Sequence, residues 1–249
     1  MTARRSLITG ASSGIGTAVA LELAAQGHAL WITYTGREEA AADVAAQCRE
    51  AGATEVHVSR LDLRDTASVE ALVADITATW GDLNVLVNNG GVCPYTAYPD
   101  IELDEWDVVM ETNARGTFWL TRAALPLLRA AAGDRSVINV ASIAGQVGAL
   151  ATGMHYAASK GAILALTRSF ARHLASEGIR VNAVTPGAVD SAITANLTPE
   201  AREKLESGIP LGAFGQPADI AWIIAGLASP RAAFVTGATY DANGGTRID

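Results

Sequence analysis

The sequence predicts an α/β fold in which helices cover both faces of a doubly wound parallel sheet of about seven strands. Short apolar runs rich in β-branched residues alternate with longer amphipathic or alanine-rich segments, which is typical of βαβ units. The apolar runs are continuous rather than alternating, so each strand is expected to be buried on both faces. A glycine-rich turn directly follows the first of these runs. Together these observations predict one Rossmann-like domain over residues 1–249.

Strands and helices are predicted in alternation along the chain. The strands are expected at 6–9, 29–34, 55–61, 83–88, 136–142, 179–185 and 233–242. The helices are expected at 15–26, 37–51, 66–80, 103–131, 154–176 and 217–228. Segment 190–215 is polar and has Gly and Pro near its ends, which predicts a lid over the substrate.

Composition excludes several classes of function. The net charge of −8 argues against a nucleic-acid surface. No apolar stretch approaches the ~20 residues that cross a membrane, and the first apolar run is too short for a signal peptide. Cys48 and Cys93 form no CxxC motif and the four histidines lack zinc-site spacing, so we expect reduced thiols, no metal and a cytoplasmic protein.

The glycine-rich turn after the first strand is suited to a dinucleotide pyrophosphate. Residues without side chains let the backbone approach the phosphates, and the following helix offers its free N–H groups and positive dipole end. The serine hydroxyls add further donors, although glycine and serine also form ordinary tight turns. The predicted cradle consists of Gly10, Ser12, Ser13, Gly14, Ile15 and Gly16.

The end of the second strand predicts which dinucleotide binds. An acidic residue there would bind the ribose 2′-hydroxyl of NAD, but the strand tip carries no Asp or Glu. Thr35 and Arg37 are placed instead to bind a 2′-phosphate. We therefore predict NADP(H), with NAD(H) as the alternative because the glycine-rich loop itself carries no basic residue.

Polar and small residues also follow the third and fourth strands. Asp62, followed by Leu63, is placed to accept a hydrogen bond from the adenine amino group. Asn89 and Gly90 follow the fourth strand at the same predicted edge of the sheet. Such residues are also common turn formers, so either interpretation is open for each pair by itself.

Tyr156 and Lys160 are four residues apart and share one face of a predicted helix. A free phenol titrates near ~10, too high for ready proton exchange at neutral pH. One cation at ~4 Å favours the phenolate by about 4 kcal/mol at an effective dielectric constant near 20, or about 3 pKa units. Lys160 is therefore expected to lower the pKa of Tyr156, and Ser142, at the end of the fifth strand, to bind the substrate oxygen beside it.

The chain resembles the short-chain dehydrogenase/reductase family, and most closely its single-domain branch that includes 3-oxoacyl-carrier-protein reductases. The motifs that carry the resemblance are TGASSGIG at 9–16, NNGG at 88–91, Ser142 with YAASK, and NAVTPGAV at 182–189. The family usually has Ala where this chain has Gly90, a change expected to loosen the loop without disabling it.

The resemblance implies roles that the residues alone do not. Asn113 matches the family's catalytic asparagine and is expected to hold a water that connects Lys160 to solvent. Lys160 is also expected to bind the nicotinamide ribose. A homotetramer is implied, built through 103–131, 154–176 and the C-terminal strand.

Residues after the sixth strand are expected to orient the nicotinamide. Pro186 and Gly187 end that strand, and the backbone of Val189 is placed to pair with the carboxamide. Substrate contacts are predicted at Ser142, Gln146, Val147, His155, Tyr156 and Cys93. For His155 a partly buried structural role is equally open.

These observations predict an oxidoreductase that transfers a hydride between NADP(H) and a carbonyl or secondary alcohol. A carrier-bound acyl chain, a small ketone, a polyketide-type intermediate and a sugar-like alcohol all remain open as substrates. The alternatives are an NAD-dependent alcohol dehydrogenase and a non-catalytic dinucleotide sensor. A sensor would be expected to lose Tyr156, Lys160 or Ser142, and the chain keeps all three.

Overall fold

The computed structural model describes residues 3–149, 151–190 and 198–248. Within these residues, one parallel sheet of seven strands has the order β3-β2-β1-β4-β5-β6-β7, which confirms the predicted fold class. The strand order reverses between β1 and β4, where ligands bind in open sheets of this kind. The strands are β1 (Arg5–Ile8), β2 (Ala29–Tyr34), β3 (Glu55–Arg60), β4 (Val85–Asn88), β5 (Arg135–Val140), β6 (Ile179–Pro186) and β7 (Thr239–Ala242).

Helices pack on both faces of this sheet. One face is covered by α1, α2 and α9, and the other by α3, α5 and α7. The helices of the described residues are α1 (Gly14–Ala25), α2 (Glu38–Ala51), α3 (Thr66–Thr79), α4 (Leu103–Val109), α5 (Gly116–Ala130), α6 (Ala144–Val147), α7 (Met154–Leu174), α8 (Pro199–Glu206) and α9 (Pro217–Ala228).

Neighbouring strand residues contribute to opposite cores, which explains the continuous apolar runs. In β1, Leu7 packs with α3 and α5, whereas Ile8 packs with α1 and α9, and both side chains are fully buried. In β2, Trp31 lies in the same core as Leu7, and Ile32 lies in the same core as Ile8. Side chains alternate across a strand, so a strand between two helical layers must be apolar at every position.

Two predicted elements are shorter than the sequence indicates. The predicted strand 233–242 is a strand only over Thr239–Ala242, because Gly237 adopts a φ of +74° and its N–H bonds to Val181 before the strand begins. The predicted helix 103–131 is divided into α4, a π-helix over Met110–Arg115, and α5. The described part of the predicted lid contains α8, while 191–197 lies outside the described residues.

The described residues contain neither a membrane-spanning helix nor a cluster of metal-ligating side chains. None of their helices is long and apolar enough to cross a membrane. Nor do any three of their His, Cys, Asp or Glu side chains group in a way that could hold a metal ion.

Candidate active site

The glycine-rich turn is shaped by close backbone packing. Gly10 has a φ of +64°, and a Cβ on it would lie 2.8 Å from the Cα of Gly90. A Cβ on Gly16 would lie 2.3 Å from the carbonyl oxygen of Gly10. The Asn89 amide ties the turn to β4 by donating to the carbonyl oxygens of Thr9 at 2.9 Å and Gly10 at 3.1 Å. These contacts require glycine and bring the ends of β1 and β4 together.

Helix α1 begins directly after this turn and is suited to an anion. Gly14 starts the helix, and nothing lies within 4 Å of the place where its Cβ would stand. The N-cap Ser13 makes no side-chain capping bond, and the first turn holds no acidic residue. The N-terminal N–H groups of α1 are therefore not satisfied by a capping side chain, which suits a bound phosphate.

A cleft of about 530 Å³ extends from this turn along the carboxyl ends of the strands. Of the predicted cofactor residues it is lined by Gly10, Ser12, Ser13, Thr35, Arg37, Asp62, Leu63, Asn89 and Gly90. Ile15 instead packs against the core of α1, α2 and α9, and Gly16 is buried beneath Gly10. Those two residues thus shape the turn rather than line the cleft.

The far end of the cleft differs in detail from the prediction. The Thr35 hydroxyl donates to the Leu61 carbonyl at 2.9 Å, so its proton is not available to a phosphate and Arg37 is the better donor. Asp62 accepts from the backbone N–H of Arg64 at 2.9 Å and from its guanidinium at 3.3 Å. Sequence reasoning missed Arg64, although the basic residues on both sides of Asp62 in RLDLR were a signal for it.

Helix α7 carries Tyr156 and Lys160 one turn apart, as the four-residue spacing predicts, and brings Lys160 next to Gly91 at the border of the cleft. The Lys160 ammonium lies 5.5 Å from the centre of the Tyr156 ring. It is almost fully buried and donates to the carbonyl oxygen of Val140, the last residue of β5, at 2.8 Å. The hydroxyl of Ser142, just beyond β5, is within hydrogen-bonding reach of the Tyr156 phenol. The structure therefore brings these three predicted side chains together.

The pKa of the Tyr156 phenol shifts upward, whereas the sequence predicts a downward shift. Burial raises the pKa of Tyr156 above its ordinary value, the neighbouring Cys93 thiol adds to the rise, and the hydrogen bond from Ser142 opposes it. Burial also lowers the pKa of the Lys160 ammonium to about 8. Burial of the phenol therefore opposes the predicted lowering of its pKa by Lys160, and that lowering stays a prediction.

Asn113 lies in the π-helix beside these groups. Its amide donates to the Val92 carbonyl at 2.9 Å and to the Ser159 hydroxyl at 3.0 Å, and its oxygen accepts from the Val92 N–H at 2.9 Å. A Cβ on Gly91 would lie 2.8 Å from that oxygen and 3.8 Å from the Lys160 nitrogen, so Asn113 and Lys160 flank the same point. The side chain keeps one lone pair for a water, and the predicted water contact stays a prediction.

The predicted carboxamide contacts lie at the end of β6. The Gly187 N–H donates to the Ala242 carbonyl at 3.0 Å, and a Cβ on Gly187 would lie 2.8 Å from the Cα of Asn243. Pro186 is the last residue of β6, and Val189 is held by a parallel bridge to Gly215. This region is thereby fixed against the C-terminal turn.

The predicted substrate residues are only partly placed as expected. Cys93 is half-buried beside Tyr156, and Val147 is exposed. Gln146 is held by Asp241, to which its amide donates at 2.8 Å. His155 is fully buried, so its prediction as a substrate contact is wrong.

The two thiols are unpaired with each other, and a phenol lies beside one of them. Cys48 and Cys93 are both free, and burial raises the pKa of each, that of Cys48 to about 11. Sequence reasoning missed Tyr95, an exposed phenol within hydrogen-bonding reach of Cys93.

Comparison with known proteins decides the family. The protein-family model described as "Enoyl-(Acyl carrier protein) reductase" matches residues 10–247. The chain belongs to the short-chain dehydrogenase/reductase family. This short-chain dehydrogenase/reductase is 38% identical over 243 residues to the 3-oxoacyl-[acyl-carrier-protein] reductase FabG of Staphylococcus aureus, covering 97% of each chain. It is 35% identical over 250 residues to the 3-oxoacyl-[acyl-carrier-protein] reductase of Synechocystis, covering 98% of this chain and 97% of the relative.

Solved structures agree with this assignment. The Pseudomonas aeruginosa RhlG/NADP active-site complex superposes with a TM-score of 0.93 at 31% identity, covering 100% of this chain and 98% of that one. A putative short-chain dehydrogenase/reductase from Burkholderia xenovorans gives a TM-score of 0.90 at 34% identity, covering 99% of this chain and 98% of the other. The protein is an oxidoreductase of this family.

Proposed function

We propose that the protein transfers a hydride between NADP(H) and a carbonyl or secondary alcohol, with Tyr156 as the proton donor and acceptor. The observation that carries the proposal is the position of Tyr156, Ser142 and Lys160 relative to the glycine turn. All lie at the carboxyl edge of the same sheet, around the point where the strand order reverses.

The residues of the cleft fit a dinucleotide phosphate. The uncapped start of α1 and the glycine turn suit the pyrophosphate. A Cβ at Gly10 or Gly16 would clash with the neighbouring backbone and change the shape of this turn. Arg37 would bind the 2′-phosphate, and Asp62 with Arg64 would border the adenine. The RhlG relative is described as an NADP complex, which supports the choice of NADP(H) over NAD(H).

The side chains of the site supply a proton and a binding place for the substrate oxygen. When bound, the nicotinamide supplies the hydride in reduction and accepts it in oxidation. The raised pKa of Tyr156 keeps the phenol protonated at neutral pH, so the proton for a ketone oxygen is present, but its transfer requires positive charge beside the phenolate that forms. Ser142 donates a hydrogen bond to the same oxygen. The positive charge of Lys160, 5.5 Å from the ring centre, favours the phenolate that remains.

The first substrate to test is a 3-oxoacyl chain on an acyl carrier protein. Its support comes from the S. aureus and Synechocystis relatives, which bear that name at 38% and 35% identity. The exposed side chains of Tyr95, Val147 and Met154 lie on the segments that flank Tyr156 and present apolar surface to a chain of this type.

A homotetramer is proposed from two exposed apolar surfaces. On the outer face of α5 and α7, Phe118 stacks on Phe170 with ring centres 5.9 Å apart and remains partly exposed. Near the edge strand β7, Trp222 and Phe234 are strongly exposed. Light scattering that gives four chain masses would support this assembly, and a monomer would overturn it.

The proposed activity is tested by the change of nicotinamide absorbance with a panel of ketones and alcohols and with both cofactors. Turnover with NADPH and a 3-oxoacyl substrate supports the proposal, whereas NAD-only turnover favours the alcohol dehydrogenase alternative.

Arg37→Ala should weaken NADPH binding about 10-fold or more and leave NADH binding unchanged, since each charged hydrogen bond contributes about 1.5–3 kcal/mol. Arg168→Ala, an exposed change on α7, is the matched control.

Equal weakening of NADPH and NADH by Arg37→Ala would remove the phosphate contact from the proposal. Cofactor binding without turnover on any substrate would favour the dinucleotide sensor instead.

A further inference from the structure

We infer that His155 is a positioning residue that sets the place of Tyr156 through Glu105. This inference rests on the proposed function, in which Tyr156 transfers the proton. It assigns His155 a role away from the substrate, because the imidazole faces the protein interior rather than the cleft.

The imidazole is held by one polar contact and one stacked ring. Its Nε2 lies 3.3 Å from the Oε1 of Glu105, and because a carboxylate only accepts, the Nε2–H tautomer donates this bond. The ring stacks on Trp106 with centres 6.4 Å apart and planes 19° apart. His155 is fully buried, so α4 fixes the first turn of α7 at this point.

The same carboxylate oxygen also holds the loop that borders the phenol. The Thr96 hydroxyl donates to Oε1 of Glu105 at 2.7 Å. Thr96 belongs to loop 92–97, which also carries Cys93, the thiol beside Tyr156. A second tie joins this loop to α7, because the Gly153 N–H donates to the Pro94 carbonyl at 2.9 Å. Glu105 thus joins loop 92–97 to the residue that directly precedes Tyr156.

Gly153 makes room for the imidazole. A Cβ on Gly153 would lie 2.3 Å from Cε1 and 2.6 Å from Nδ1 of His155. The φ of Gly153 is −62°, which any residue adopts, so the requirement for glycine here is steric and comes from the ring. The turn before α7 is therefore fitted to this histidine.

His155 is polar although it is fully buried. Burial of an imidazole costs more desolvation free energy than burial of an apolar side chain, and the Glu105 contact offsets part of that cost. A polar group at such a position next to a reacting side chain is typical of positions that serve the site.

The expected effect lies on the chemical step. A displacement of about 1 Å at a reacting group can reduce the rate about 100-fold. Of the residues that line the cofactor cleft, Val92 and Val108 come from loop 92–97 and α4 and the rest from other elements, so cofactor binding should change little. Loss of the Glu105–His155 contact should therefore lower kcat about 10- to 100-fold and leave the Kd for NADPH within about 2-fold of the wild type.

The test compares substitutions that break this contact with ones that keep it. His155→Ala and Glu105→Ala should both lower kcat, and the double variant should be no slower than the slower single one. Glu105→Gln keeps the accepting oxygen and His155→Gln keeps a donor, so both should recover most of the rate. Asp104→Ala, an exposed change on the same helix, is the control and should leave kcat unchanged.

Gly153→Ala provides an independent route, because it displaces the imidazole without removing a polar group and should lower kcat in the same way. Glu105 is partly exposed, so Glu105→Ala should remain folded and decides the question even if His155→Ala does not fold. A wild-type kcat in Glu105→Ala would overturn the inference. The proposed function is tested separately, by the turnover of Tyr156→Phe and by the cofactor and substrate panel, neither of which depends on Glu105 or His155.

Discussion

The ammonium nitrogen of Lys160 lies 5.5 Å from the centre of the Tyr156 ring, and both groups are carried by one helix. The same ammonium donates to the last carbonyl of β5 at 2.8 Å, so the cation is fixed to the sheet beside the phenol. Its position and its charge therefore both bear on the proton that Tyr156 transfers.

The rate of ketone reduction should depend on the charge of Lys160. Because its pKa is lowered to about 8, Lys160 is charged at neutral pH and loses its proton as the pH rises through about 8. The kcat/KM for reduction should be constant near pH 7 and fall above about pH 8. A profile that stays flat to about pH 10 would contradict this role of Lys160.

The sheet and its two cores were predictable because they depend on local patterns. Apolar residues at every strand position report burial on both faces, and glycine spacing reports a close backbone turn. Tyr156 and Lys160 were found because their spacing of four matches one helical turn. These features need no knowledge of distant contacts.

The remaining features depend on contacts between distant segments. The π-helix accompanies bonds between Asn113 and Val92, which are 21 positions apart. His155 adjoins Tyr156 in sequence, but one residue turns a helix by about 100°, so it points away from the cleft. The raised pKa of Tyr156 reflects the burial of the phenol, which spacing does not report.

His28 should make the folded protein sensitive to mild acid. Burial lowers its pKa from 6.5 to about 4, so the unfolded chain takes up a proton below pH 6.5 while the folded protein does not. This contribution is fully present above pH 6.5 and is lost as the pH falls to about 4, by about 3 kcal/mol.

Urea unfolding at several pH values checks this expectation. His28→Gln should reduce the loss of unfolding free energy between pH 6.5 and about 4. An identical pH dependence in the variant and the wild type would show that His28 is not the group responsible.

Asp134 should be important for stability because it joins two arginines at the amino edge of the sheet. It accepts from Arg180 at 2.9 Å through both carboxylate oxygens and from Arg4 at 3.0 Å. Removing one member of a largely buried charge cluster leaves uncompensated charge, so Asp134→Asn should lower the unfolding free energy by about 3 kcal/mol.

The exposed pair of Arg129 and Glu177 is the matched control for this experiment. Glu177→Gln should change the unfolding free energy little, because solvent screens such pairs. Equal effects of the two substitutions would contradict the assigned importance of the Asp134 cluster.

The most direct test of the proposed function measures both kcat and the Kd for NADPH in the Tyr156→Phe variant. The substitution removes only the phenolic oxygen, so the account predicts an unchanged Kd for NADPH and a kcat reduced at least about 100-fold. A variant that binds NADPH and reduces the ketone at the wild-type rate would show that Tyr156 does not transfer the proton.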